Sequence, residues 1–561
     1  MSYDIVIKNG TVVDGTGAQR KRADVAIADG KIAEIGRITE GAKKVLDASD
    51  LIVAPGFVDP HTHYDAQICW DPYLTSSSSH GVTTVIMGNC GVGIAPCKPE
   101  LREIATSDLV NVEAIPFEVL RKGITWDWET FPQYIDAAAQ RGSGINLGFL
   151  APLTPFRHYV MGEESMQRAA TVEETAGIKS MIKEAVAAGA FGFTTSTLPQ
   201  HIGYQGRPLA CRNASREEFK AYANALKELG RGTIEMALTR TTSVLSDEEY
   251  EFLDFLLTES GRPVTWLAVL YRDEAPAACV ETLRKSEPLI RRGGVPQVTC
   301  RPLIVQVNLR EPFIFAEQPS WKPVFNQPLE VQKKYYRDKK FRDEWRSSLS
   351  KGFTRFGGRW DRIEVKEVRN PALQPLVGRT VAEIAIERGK DGVDTFLDLG
   401  LEDDLGIEFT FARYNADESK IPGLINDPRT MIGLSDAGAH VDMLCDAGYC
   451  TFLLGTWVRE REVMTLEHAI KRITSEPADY FGIKARGRLL PGMAADVTIF
   501  DYHTVGSAKR GEMRNDLPGG GRRLVMPARG VEHVIVNGRM LSEHGKIGSD
   551  LTGQVLRSGM C

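Results

Sequence analysis

Residues Gly56–Asp71 read GFVDPHTHYDAQICWD, a short apolar run that ends in two histidines one residue apart. Side chains at i and i+2 of a strand leave on the same face, so His61 and His63 project toward one point. Two neutral imidazoles so placed are half of a coordination shell for zinc or another borderline divalent ion. What the pair does depends on the strands that follow it.

Seven more apolar stretches recur downstream: GVTTVIMGNC, GINLGFLAPL, GAFGFTTST, GTIEMALTR, RPVTWLAVLY, VPQVTCRPL and RTMIGLSDAGAH. Helical, charge-patterned segments separate them. About eight parallel strands are the number that closes a (β/α)8 TIM-like barrel, and many of these end in polar or reactive residues, as strands that line a barrel mouth do. A doubly wound open sheet is the alternative, but it does not account for the chain ends. The first 56 residues alternate as strands do (YDIVIKNGTVVDGTG, ADVAIADGKIAEIG) and turn at Asn-Gly and Asp-Gly. The same texture returns in AADVTIFDYHTV and VEHVIVNGRMLSEHG. The expected architecture is α/β, with a β-sandwich from 1–56 and 485–561 and a barrel over 57–484.

A stretch from about 313 to 370 interrupts the repeat with aromatics and a basic run, KKYYRDKKFRDEWR. Such a run ordinarily reads as a solvated helical face. The sharper reading is a lid whose cations meet an anionic part of the substrate, since long barrel loops are often functional.

Bulk properties narrow the partners. The 561 residues are 42% hydrophobic with a net charge of -6, so nothing global draws the chain to nucleic acid or anionic membrane. A small-molecule substrate is expected. No apolar run has the length of a bilayer span and no signal stretch opens the sequence, which points to a cytoplasmic protein. Nine cysteines without CxxC spacing point to reduced thiols.

At the other end of the barrel region, MIGLSDAGAHVDML places Asp436 directly after an apolar strand. A carboxylate there can ligate a metal, accept a proton from metal-activated water and deliver it to the leaving group. The plainer reading is a turn cap, as Ser-Asp-Ala-Gly suits a turn; with two histidines at hand the ligand reading is favoured.

Taken together, PGFVDPHTHYD, GVTTVIMGNCG, GLSDAGAH and PGMAADVTIFD resemble the amidohydrolase superfamily, most closely its N-acyl-D-amino-acid deacylase branch, over essentially the whole chain. The resemblance implies that Cys90 of the GNCG motif is a metal ligand beside His61, His63 and Asp436. It also implies a metal-dependent hydrolase that cleaves a C–N amide bond. Relatives with two metals usually carry histidines at the ends of strands five and six, where this chain has TIEMALTRT and VTWLAVLYR, and other branches carry a strand-four lysine that is absent here. The expected metal is zinc, with iron or manganese as alternatives, at one or two per chain. His201, Glu235, Cys300 and His440 are the candidates for a second site. His201 and Tyr204, in a Gly- and Pro-marked loop, are the expected substrate contacts and could donate to an oxyanion. The alternatives are a metal-dependent acyl-CoA thioesterase, for which the basic run would meet phosphates, and a non-catalytic scaffold. A homo-oligomer is expected.

Overall fold

The computed structural model describes residues 3–310, 312–315, 318–325, 327–350, 356–508 and 510–561. It divides into two compact units, Met1–Arg301 with Ser419–Cys561, and Pro302–Glu418.

In the first unit eight strands run parallel: β1 (Phe57–Thr62), β2 (Val82–Met87), β3 (Asn146–Phe149), β4 (Gly192–Ser196), β5 (Thr233–Ala237), β6 (Val264–Leu267), β7 (Gly294–Val298) and β8 (Met431–Ile432). β1 pairs with β2 and β2 with β3. A short strand, Ala151–Pro152, carries the pairing from β3 to β4, after which β4 through β8 pair in sequence order. A parallel bridge from Ala437 to Thr62 returns the order to β1. Most of these strand residues are buried, which is why they read as continuous apolar runs rather than as alternating ones. The helices between them include α1 (Arg102–Glu113), α2 (Val172–Ala188), α3 (Arg216–Leu229) and α4 (Asp247–Ser260). The last three start at capping boxes, Thr171 with Glu174, Ser215 with Glu218 and Ser246 with Glu249, so the sequence itself fixes where each helix begins.

The two chain ends share one nine-stranded sheet, in which Ile52–Pro55 lies between Tyr3–Val12 and Val497–Phe500. Antiparallel pairing of Val497 with Pro55 and of Phe500 with Ile52 joins them. Ile7, Val25, Ile27, Val53, Val497 and Ile535 fill the core beneath. Pro55 ends two residues before β1, so this sheet fixes where the histidine strand enters.

The second unit is wider than the 313–370 stretch expected from the sequence. Leu303–Asn308 and Ile363–Glu367 flank Glu408–Tyr414 in a three-stranded antiparallel sheet, over a core that includes Phe315, Trp321, Trp345, Phe356 and Phe396. Much of the basic run is paired inside the unit. Lys333 pairs with Glu330 and Asp404, Arg342 with Asp394 and Asp398, and Arg346 with Asp343, Asp391 and Asp394. These cations already have carboxylate partners, which removes the reason for assigning them to phosphates. Among the described residues no helix is long and apolar enough to cross a membrane.

Candidate metal centre

β1 delivers His61 and His63, both almost fully buried. His61 Nδ1 lies 2.8 Å from Gln297 Oε1 on β7. An amide oxygen only accepts, so Nδ1 carries the proton and the Nε2 lone pair faces inward. His63 Nδ1 lies 3.2 Å from Glu113 Oε1 at the end of α1, an ion-pair contact without hydrogen-bond geometry, and its Nε2 is turned toward Asp436. Cys90 Sγ is 3.6 Å from His61 Nε2, and Asp436 Oδ1 is 3.3 Å from His61 Nε2 and 3.7 Å from His63 Nε2. The ligand atoms of His61, His63 and Cys90 all lie within 4.8 Å of one another. The structure thus brings His61, His63 and Cys90 into one cluster with Asp436 beside both imidazoles; behind them Gln297 accepts from His61, whereas Glu113 lies close to His63 Nδ1 without a hydrogen bond.

Local backbone geometry aims the other two side chains. Cys90 sits at φ 56°, after Gly88 at φ 86°; a Cβ on Gly88 would stand 2.3 Å from Leu150 O. The Cys90 N–H donates to Glu235 Oε2 at 2.7 Å. Asp436 is also left-handed, at φ 47°. The Ser435 hydroxyl donates to His61 O (3.0 Å) and the His63 N–H donates to Ala437 O (2.7 Å), so the segment after β8 is laid directly on β1.

Electrostatics separate the groups. Burial holds His61 down to about 4, so it stays a neutral donor. Burial also opposes charge on His63, but Glu113 and Asp436 outweigh it and raise it to about 9. Burial would raise Asp436, yet the two imidazoles hold it far below the usual carboxylate range. Burial pushes Glu235 up to about 8, and burial with the neighbouring carboxylates pushes the Cys90 thiol well up.

A divalent cation fits this donor set. Among the described residues, Glu113 and Asp436 have no Lys or Arg partner. Buried acceptors with no cation are costly, and a metal ion supplies the missing charge.

The remaining expected residues fall in different places. His201 Nδ1 lies 2.9 Å from Ser196 Oγ at the end of β4. Burial, then the charges of His440 and His63, hold it down to about 3, so it stands within electrostatic reach of the centre. The Tyr204 ring packs against the cluster of Cys97, Leu101, Ile104 and Ala105. The His440 N–H donates to Glu113 O. Cys300 Sγ donates to Tyr449 O, away from the ligand cluster. Glu235 Oε1 is 3.9 Å from His61 Nδ1, on the side of that ring already occupied by Gln297. Glu113 and Gln297 were not singled out from the sequence. Neither stands in a motif; Gln297 was readable only as a polar residue inside an otherwise apolar strand.

Imidazoles, a thiol and a carboxylate converging at the ends of parallel strands define a metal-dependent hydrolase of the α/β class. The model of the amidohydrolase family matches residues 44–309 and 358–541. The chain belongs to that family, in its D-aminoacylase branch. It is 29% identical to an uncharacterised protein of Mycobacterium tuberculosis, over the whole of this chain and 95% of that one. It is 25% identical to a D-aminoacylase of Alcaligenes xylosoxydans xylosoxydans, over 99% and 97% of the two chains. Among solved structures, N-acyl-D-glutamate deacylase from Bordetella bronchiseptica, complexed with zinc and a phosphonate mimic of the tetrahedral intermediate, aligns with a TM-score of 0.66 at 26% identity, over 99% of this chain and 100% of that one. The chain is a metal-dependent amidohydrolase acting on carbon–nitrogen bonds other than peptide bonds.

Proposed function

We propose that this protein removes the acyl group from an N-acyl-D-amino acid at one divalent metal, zinc, held by His61, His63, Cys90 and Asp436. In this reading the eight parallel strands form a closed (β/α)8 barrel whose strand ends carry the site, and residues 1–56 and 485–561 make the β-sandwich beside it. The observation that carries the proposal is the convergence of the four donors with Gln297 and Glu113 behind the two imidazoles. Imidazole and thiol donors suit zinc, and the Bordetella relative was solved with zinc.

A divalent metal held by these residues would supply a water of lowered pKa and Lewis-acid polarisation of a carbonyl. The chain's residues do the rest. Asp436, kept ionised by its imidazole neighbours, takes the proton of the attacking water and passes it to the leaving amine. His201, buried in part and uncharged, donates to the carbonyl oxygen as negative charge grows there. Tyr204 contributes through the loop that it anchors.

The surroundings of Cys90 support the choice of one metal over two. Its packing neighbours are Leu198, Ala237 and Leu267, from the segments after β4 and on β5 and β6, none of which can ligate a metal. Glu235 is turned to the backbone of Cys90, not toward the Nε2 side of His61.

The test is amine release from paired N-acyl-D- and N-acyl-L-amino acids by zinc-loaded protein. Hydrolysis confined to D-substrates supports the proposal. No hydrolysis of any N-acyl-D-amino acid by fully loaded protein overturns it.

A further inference from the structure

Behind the loop that carries His201 lies a buried chain of polar groups with no part in metal binding. Asp108 of α1 accepts from both sides: Oδ1 from the Tyr204 N–H at 2.8 Å, and Oδ2 from His158 Nε2 at 2.9 Å. His158 Nδ1 lies 2.8 Å from Ser165 Oγ, and that hydroxyl donates to Gly162 O at 2.6 Å. Asp108, His158 and Ser165 are each at most 3% exposed. Their order is that of a nucleophilic triad, yet no substrate can reach a fully buried Ser165, so these groups have a different use.

The use is visible at the loop. Gly203 has no room for a side chain, because a Cβ would stand 2.2 Å from Asp108 Oδ1. Asn111, three residues on along α1, donates to Gly203 O at 2.7 Å. The loop closes on itself through the Ile202–Pro208 bridge, and His201 leaves it toward Ser196. The same helix ends at Glu113, which backs His63. One helix therefore holds the tip of the His201 loop by hydrogen bonds and lies against His63 at its end.

We propose that Asp108, oriented by His158 and Ser165, is a positioning residue that sets His201 over the scissile carbonyl; this rests on the role given to His201 above. Asp108 fixes the Tyr204 amide, His158 fixes the carboxylate plane, and the loop then presents His201 in one orientation.

The test is a double-mutant cycle between Asp108→Asn and His201→Ala, with metal content, kcat, KM and amide exchange of the loop measured on zinc-loaded protein. Asp108→Asn is expected to keep its metal, lose exchange protection at residues 201–207 and lower kcat by ~10–100-fold with KM little changed, the scale of a small misplacement of a reacting group. In the His201→Ala background it is expected to add nothing, because two residues acting through one contact are not additive. An equal loss in both backgrounds, or full kcat with a loosened loop, overturns the proposal. If His201→Ala alone leaves kcat intact, the reading of His201 fails and this proposal with it. Should Asp108→Asn not fold, Gly203→Ala enters the same cycle from the loop side, since its methyl group displaces the Tyr204 amide from Asp108.

Discussion

Gln297→Leu isolates what lies behind the metal from what touches it. Gln297 is fully buried, its Oε1 2.8 Å from His61 Nδ1 and its Nε2 donating to Thr265 Oγ1 at 3.2 Å. Leucine fills a similar volume without an acceptor, so the His61 N–H is left unpaired. The next acceptor, Glu235 Oε1, is 3.9 Å away, beyond hydrogen-bond reach, and its partner oxygen is engaged by the Cys90 N–H. An orphaned buried donor costs about 1–3 kcal/mol, and the metal-free protein should lose that much in urea unfolding. The ring is also freed to rotate and to change tautomer, and loss of such an outer partner lowers metal affinity about 10–100-fold. Zinc affinity by chelator competition is the assay. Gln297→Glu keeps an acceptor at the same atom and is expected to restore the affinity. If Gln297→Leu binds zinc as tightly as the wild type, Gln297 does not hold the ring and the tautomer assigned to His61 is wrong.

Asp436→Asn should lower kcat by ~10²–10⁴-fold at saturating metal, the range for loss of a general acid–base group; unchanged kcat would move proton transfer to another residue. His80 gives a pH effect remote from the metal. It is fully buried, lies 2.7 Å from Thr451 Oγ1, donates to Met526 O, and is held by burial down to about 4. The unfolded ring titrates near ~6.5, so the native state binds fewer protons between the two values. This contribution is complete above the unfolded value and is lost as pH falls toward 4, about 3 kcal/mol in all. Urea melts of wild type and His80→Gln between pH 4 and 7 should differ by that slope, and parallel curves would refute it. A panel of acyl-CoAs should release no free CoA, because Lys333, Arg342 and Arg346 are already paired; release that falls steeply with salt would restore the thioesterase reading.

How far the sequence could be read follows from how local each feature is. Strand geometry puts the two histidines on one face, but their reading as ligands needed the strands around them, and that of Asp436 needed the histidines. The shared terminal sheet was visible as one texture at both ends of the chain. Glu113 was not visible, because it meets His63 across 50 residues from the end of an ordinary helix. Gln297 pairs with His61 across 236 residues. The edge of the second unit was misplaced for a similar reason. VPQVTCRPL reads as one strand, yet β7 stops at Val298 and Leu303–Asn308 joins a different sheet whose partner strand, Glu408–Tyr414, lies about 100 residues on. The amphipathic helices Val381–Arg388 and Gly392–Glu402 have the pattern of barrel helices, and only their packing against the aromatic core separates them.

The centre also explains why its donors need one another. In the absence of a cation, Asp436 is ionised through His63, Glu235 is held near neutrality and Cys90 stays a thiol. The charges are balanced by protons. A divalent ion replaces those protons: it favours the Cys90 thiolate and the neutral His63 that ligation requires, so binding is accompanied by proton release and weakens as pH falls. The native state has the four donors gathered and an unfolded chain does not, so free energy of metal binding adds to stability. The loop glycine at Gly88, the left-handed Cys90 and Asp436, and the buried carboxylates each cost stability locally. A metal ion held by the proposed donors would return that stability on binding.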